Sequence, residues 1–585
     1  MVALVALIGL VPQYLSRTIP DVAFPLWAAG RVLDGATLYV DILEINPPLF
    51  IWLDIPLVTF ARWTGLDPIL VFRLAVTALL VASVWASYRV LTEGRKDGWT
   101  DTIPLLAVTF ALFVLPRLDW GEREHLALAL MLPWLAVAVR RLEGGEVSRG
   151  MALMTGLAAG LGIALKPHFV LVWVGREVAV RLGAGGTRAA PDATRRLGAP
   201  SPESLVAAGV CVAYLLAVIV FTPEYFPLVR ELAGPYSRFI RATILETMFG
   251  PAPAVALTAI VVAVGLRKLV WRPDGVDGQV GSRGSRLAAS VTVLFCATAA
   301  WSVVALLQLK GFRYHWYPAM ALGFLLLCRL AQVARGVHIS FTSRLFRAVG
   351  TAVVVTTVVL TTWGALRQTA APLAPEWDAD PSIGPLLEAL EGRVQPGDTL
   401  AVLSPNMASG FPLTNYLGTV WPLRLSNVWP AIVTYTPALE LGQSPELRPD
   451  STMSPLERWS LDVLARDFAQ ARPEWMLMFR HLPAGPTPHM SKLDLAGYLR
   501  RNTRIDSAWS AFDSLGVVGL YTLWHRRDDI PRRPIGNVQW PRSSGRGPAA
   551  TEAVTDRELW IAAFIIALVA VDLITARAAE PASRS

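Results

Sequence analysis

Between two apolar runs lies the segment Leu118-Asp119-Trp120-Gly121-Glu122-Arg123-Glu124-His125. It gathers three carboxylates, a guanidinium and an imidazole into eight residues. Charge is costly at a bilayer, so a cluster at the end of an apolar run points to function. The pattern recurs. Asp21, Asp41 and Glu44 follow the first apolar segment, Lys166 and His168 close another, and Lys310, Arg313 and His315 close a fourth. Acids and histidines are the usual carriers of protons in catalysis. Lys and Arg suit anions, one as a point charge and the other as a bidentate fork. The four clusters together read as an active site at one membrane face.

Such clusters need helices to hold them. Hydrophobic residues make up 53% of the 585 and charged residues 17%, where soluble domains carry about 25% charge. Trp is abundant at 21, as interfacial anchoring favours. Apolar segments of membrane-spanning type recur, and spans are expected near 1–14, 69–92, 102–116, 125–140, 150–165, 168–182, 204–221, 252–270, 287–308, 316–334, 347–364 and 558–576. The N-terminal run lacks a basic flank and a small-residue cleavage site, so it is expected to be a first span, shortened by a late start codon, and not a cleaved signal. The loops 141–149, 183–203, 271–286 and 335–346 carry Arg141, Arg188, Arg272 and Arg335 among their arginines and belong on the cytoplasmic side. The opposite loops, which hold the four polar clusters, then face the exterior. Counting 47–63 as a span would reverse everything after it. Asp54 and Pro56 in its middle mark it as an interfacial or re-entrant helix of the first exterior loop, 15–68.

Composition changes at about residue 365. Pro, Asp, Glu and Arg become frequent, and strand-like runs appear at 399–403, 475–479 and 517–524, with helical stretches at 383–390 and 455–469. The expected architecture is a polytopic α-helical membrane protein of about 11 to 13 spans with a small α/β exterior domain near the C-terminus. Its divisions fall at 1–364, 365–550 and 551–585, the last being a C-terminal transmembrane helix and tail after the Pro/Gly/Arg linker 526–550.

The first exterior loop runs Pro20-Asp21-Val22-Ala23-Phe24, Ala28-Ala29-Gly30-Arg31-Val32-Leu33-Asp34-Gly35, Tyr39-Val40-Asp41 and Asn46-Pro47-Pro48-Leu49. An acid, a small-residue helix, a Gly and a Pro-Pro before the next helix, with a second acidic loop between later spans, resemble the GT-C superfamily of polyprenyl-phosphate-sugar glycosyltransferases. Similar in pattern are the protein O-mannosyltransferases and the bacterial lipid A aminoarabinose transferases. The layout matches over about 1–370, and the two loops carry the motifs. The chain departs from the family in having Asp21 alone where an acid pair is usual.

The resemblance implies transfer of a sugar from a lipid-linked phosphate to an acceptor hydroxyl, with inversion, on the exterior face. A carboxylate takes the acceptor's proton, cations stabilise the leaving lipid phosphate, and an apolar groove holds the polyprenyl chain. Asp21 is the candidate base; the plainer alternative is an N-cap of the helix after it. Glu122 and Glu124 are further catalytic candidates, against a charged helix start. Asp41, Glu44, Arg123 and His125 are candidates to shape the acceptor site, with solvated loop acids as the alternative for the first two. Lys166, His168, Lys310, Arg313 and His315 are the phosphate-side candidates, against snorkelling anchors. Tyr225, Tyr236 and Arg238 stand between sugar contacts and an amphipathic interfacial helix. The expected partners are a polyprenyl-phosphate sugar, undecaprenyl phosphate being the expected carrier, a lipid, glycan or protein acceptor, and membrane lipids. The only cofactor in view is a divalent cation, Mg or Mn. Ala/Arg/Gly-rich usage suggests a bacterial inner membrane.

Other classes fit less well. The pI near 9.6 comes mainly from short-loop arginines, so nucleic acid is not implied. Cys211, Cys296 and Cys328 sit in apolar segments and give neither a disulfide frame nor metal spacing. No P-loop or dinucleotide motif supports a nucleotide sugar. A ligase or polymerase calls for a large late loop rich in Arg and His, and a transporter or flippase for midplane charges in repeats.

Overall fold

The structure is a computed structural model and describes residues 1–93, 102–185, 200–239, 241–265, 282–335, 354–367, 383–483, 489–527 and 536–538. The expected span at 558–576 and most arginines of the loops 183–203, 271–286 and 335–346, expected on the cytoplasmic side, lie outside those residues. Helix α1 (Val2–Leu15) and α2 (Pro20–Leu33) meet at 65°. The bend has a local cause. Pro20 opens α2, and the residue before a proline is pushed out of helical space, so Ile19 is extended at φ −88 and ψ 157. Asp21 therefore lies in the first turn of α2, whose N-cap is Ile19.

Next come α3 (Leu49–Thr64), α4 (Pro68–Thr92), α5 (Thr102–Phe113), α6 (Arg123–Leu142), α7 (Arg149–Ala164), α8 (Val170–Gly185), α9 (Pro202–Phe221) and α10 (Tyr225–Arg238). The bundle is completed by α11 (Pro251–Gly265), α12 (Ser282–Gln308) and α13 (Arg313–Arg335). Among the described residues four helices are long and apolar enough to cross a membrane, five with the bent α1–α2 pair, and the apolar helices Pro104–Phe113, Arg149–Ala164, Pro251–Gly265 and Val354–Arg367 are shorter. Segment 47–63 forms α3, which packs on α2 and α4 and leaves Trp63 exposed. The span expected at 168–182 starts late, because Pro167–Phe169 forms a 3-10 turn before α8.

Helices α7 and α9 approach closely. A Cβ on Gly160 would lie 2.5 Å from Val210 Cβ, and one on Gly156 would lie 2.6 Å from the Glu203 carbonyl oxygen, so small residues let the two backbones meet. Away from the polar loops, Glu203 is fully buried and accepts from Arg176 at 2.7 Å and Arg141 at 2.9 Å. This pairing ties α6, α8 and α9, and loss of one partner would strand a buried charge.

The C-terminal region carries a mixed sheet in the order β1-β2-β4-β3-β5, with β1 (Leu400–Leu403) parallel to β2 (Trp475–Phe479). β4 (Tyr521–Arg526) is antiparallel to both β2 and β3 (Phe512–Val518), and β5 (Gly536–Val538) is parallel to β3. The run 517–524 is not one strand. It crosses the turn between β3 and β4, where Gly519 at φ 57 reverses the chain. The helix Pro455–Ala471 opens with a capping box from Ser454 and Glu457.

Candidate active site at the mouth of the bundle

Five segments converge at one end of the helices: the N-termini of α2 and α6, the loop before α3, and the turns α7–α8 and α12–α13. The α5–α6 turn is shaped by Gly121 at φ 85, followed by Glu122 as N-cap of α6 and then Arg123 and Glu124 in its first turn. An acid there also meets the positive end of the helix dipole. Glu124 is fully buried and accepts from Lys166 Nζ at 2.5 Å. Lys166 also donates to Gln308 Oε1 at 3.2 Å and stands 5.5 Å from the centre of the Tyr314 ring. His315 Nε2 lies 3.8 Å from Glu124 Oε1. Arg123 Nη2 lies 3.9 Å from Asp21 Oδ1, and its guanidinium sits over Phe50.

The electrostatics follow from burial. Glu122 is driven well above the carboxylate range, first by loss of solvent and then by Asp21 and Glu124. Glu44 is raised by burial, against the Asn46 hydrogen bonds at 2.8 and 2.5 Å. Burial lowers Lys166, and Glu124 opposes that. Burial with Lys166 nearby brings His168 down to about 4. Several buried atoms here have no hydrogen-bond partner among the described residues: Glu122 Oε2, Glu124 Oε2, Arg123 Nη1, His168 Nε2 and His315 Nδ1. Buried polar atoms are rarely left so, and such atoms are the natural contacts for a bound polar molecule.

The structure thus brings Asp21, Glu122, Arg123, Glu124, Lys166, His168 and His315 together, with Glu44 within electrostatic range of Arg123. Other candidates go elsewhere. His125 turns into the core, where Nδ1 accepts from the Gly121 N–H at 2.9 Å and Nε2 lies 2.9 Å from the Leu112 carbonyl. Its Nε2 must therefore carry the proton, and the ring staples α5 to α6. Asp41 is exposed and closes a turn by accepting from the Thr37 N–H at 2.8 Å. Arg313 reaches Asp119 at 2.5 Å and donates to the Pro116 carbonyl at 2.7 Å. Lys310 donates to the carbonyls of Tyr236, at 2.7 Å, and Phe239. Burial brings Lys310 down to about 8. Tyr225 packs on Tyr39, and Tyr236 on Trp429. Gln308, two residues before the Lys310–His315 run, and Tyr314, inside that run, were not candidate site residues from sequence. Among the described residues no three His, Cys, Asp or Glu side chains are grouped to hold a metal ion.

No family model matches the chain, and no curated protein matches it. Among solved structures, ArnT from Cupriavidus metallidurans bound to undecaprenyl phosphate is similar at TM-score 0.50 and 14% identity, covering 91% of this chain and 98% of that one. ArnT in the apo state gives TM-score 0.47 and 14% identity over 89% and 96%. The arabinofuranosyltransferase AftD from Mycobacteria gives 0.38 and 13% over 90% of this chain and 40% of that one. The first likeness shows the fold: this chain shares with that protein a bundle of apolar helices followed by a small sheet domain near the C-terminus.

Proposed function

We propose that this chain is an integral-membrane glycosyltransferase that moves a sugar from a polyprenyl-phosphate donor to an acceptor hydroxyl, with inversion, on the exterior face of a bacterial inner membrane. The observation that carries this reading is the buried set of unpartnered carboxylate, guanidinium and imidazole atoms around Glu124 and Arg123 at the bundle mouth. The fold it shares with a protein crystallised with undecaprenyl phosphate supports a lipid-phosphate donor.

The chemistry divides among these residues. The acceptor oxygen attacks the anomeric carbon while the bond from that carbon to the phosphate oxygen breaks. Asp21, about a third exposed, takes the acceptor's proton. The phosphate leaves with the bonding pair, and Arg123 and Lys166 stabilise its charge in a site shielded from water. Glu124 holds Lys166 and, through its second oxygen, orients a substrate hydroxyl. Exposed apolar side chains along α9, among them Leu216, Val220 and Phe221, lead toward the loop before α10 and offer a track for the polyprenyl tail.

The test is release of polyprenyl phosphate by purified protein in liposomes, with a panel of polyprenyl-phosphate sugars and acceptors, with Mg, with Mn and with chelator. Asp21→Asn is expected to lower kcat about 10²–10⁴-fold, the usual range for a general base, while membrane level and Tm hold. Glu124→Gln is expected to lower kcat/KM similarly by freeing Lys166. Release undiminished in Asp21→Asn would move the base elsewhere, and no release by folded parent protein with any donor would sink the reading.

A further inference from the structure

A second concave surface lies in the C-terminal domain, apart from the cluster at the bundle mouth. Its cavity measures about 620 Å³, inside the range that holds a small organic ligand. It forms where the helix Pro455–Ala471 ends, beside the helix Thr503–Trp509 and the open ends of β3 and β4. Three arginines line it, Arg472, Arg504 and Arg526, together with Thr503, Ser507 and Phe512.

Asp506 pairs with Arg500 at 2.6 Å and Asp513 with Arg527 at 3.0 Å, and Glu474, two residues after Arg472, has its Oε1 3.7 Å from His525 Nε2. Among the described residues neither Arg472 nor Arg504 has a carboxylate partner. Arg472 moreover ends its helix at φ 43, the left-handed position that glycine fills most easily. The Arg472 carbonyl accepts from Arg526 Nη1, which ties the two walls together.

We propose that this cleft binds an anionic saccharide. Guanidinium forks match carboxylate and phosphate oxygens. The hydroxyls suit sugar hydroxyls, and the apolar floor suits the C–H face of a sugar ring. The volume far exceeds what a bare anion fills. The inference rests on this cavity alone and does not need the transfer chemistry of the bundle.

Isothermal titration of the full chain in nanodiscs tests it, with a hyaluronan tetrasaccharide, mannose 6-phosphate, neutral chitotetraose and inorganic phosphate as probes. One of the two charged saccharides is expected to bind, and which one does so identifies the charge as carboxylate or phosphate. Chitotetraose should bind at least about tenfold more weakly, and the R472A/R504A double variant should lose about tenfold or more of the charged probe's affinity. S507W, which fills the cleft, should abolish binding with Tm unchanged. Equal binding of chitotetraose, full binding by the double variant, inorganic phosphate matching the saccharides, or no binding of any probe would each overturn the proposal. Asp21→Asn should bind the probe as the parent does. No sugar transfer by the parent protein with its cleft binding intact would therefore count against the transferase reading alone.

Discussion

Asp119 shows how one buried acid can set a pH dependence. It lies in the short turn before α6 with Arg313 Nη2 2.5 Å from its Oδ2. Burial pushes its carboxyl up to about 6 from 3.8, with Arg313 and Arg117 pulling the other way. The folded protein thus holds this proton more tightly than the unfolded chain does. The group's stabilising share is complete below pH 3.8, falls as the pH rises to about 6, and is constant above that. The loss across that window is about 3 kcal/mol. Measured from pH 4 to 8, the Tm of the parent relative to Asp119→Asn should drop up to about pH 6 and then level. A difference that stays flat from pH 4 upward would refute this assignment. His125 illustrates the opposite outcome for a titratable side chain. Both ring nitrogens are committed to backbone groups, so it serves packing and not substrate.

At the scale of elements, the α5–α6 turn decides where three site residues point. Gly121 has φ 85, and a Cβ there would come 2.8 Å from the Phe72 ring. Glu122, Arg123 and Glu124 follow directly. Gly121→Ala is expected to cost roughly 1–3 kcal/mol, from backbone strain and overpacking against α4. It should also reduce transfer beyond the stability loss, because the start of α6 must shift. Gly150→Ala is the matched control, since a Cβ there meets nothing within 4 Å. Thermal melts and initial rates of both variants check this, and a Gly121→Ala protein with parental Tm and rate would contradict it. Segment 47–63 belongs to this scale too. Its apolar content permits a span, but α3 packs along α2 and α4 as part of the loop that carries the site.

Across the whole molecule, the C-terminal domain is fastened to the first loop. The Leu43 N–H donates to the Arg424 carbonyl at 2.8 Å, Thr18 N–H to Tyr416 Oη at 2.7 Å, and Asn415 Nδ2 to the Ala23 carbonyl at 3.1 Å. Phe411 is fully buried against Phe24, Trp27 and Trp421. Phe24 and Trp27 lie on α2, the helix that carries Asp21. Phe411→Ala should cost about 3–5 kcal/mol, as loss of a buried aromatic does. It should also speed proteolysis after residue 383 and lower kcat by loosening α2. Melting and limited proteolysis of the variant test this; a parental cleavage pattern would mean that the domain is held by other contacts.

Composition and periodicity were enough to make this chain a multi-span membrane protein, because a bilayer demands long apolar helices and penalises charge. They also put the charged clusters on one expected face, through the count of short-loop arginines, and set the α/β character of the region after residue 365. Spacing placed Glu124 at a helix start and Glu122 in the loop just before it, and offered a helix start as the plainer alternative for Asp21. Partners were another matter. Lys166 meets Glu124 across 42 positions of sequence, and Gln308 and Tyr314 join them from a further turn. Which carboxylate is salt-bridged, which is left with an unpaired oxygen, and which histidine turns into the core depend on how distant helices pack and rotate. Likewise the run 517–524 has one strand's hydropathy, yet a single glycine with positive φ makes it two. Local sequence fixes a side chain's type and its place on an element; only the packing of the elements decides what that side chain meets.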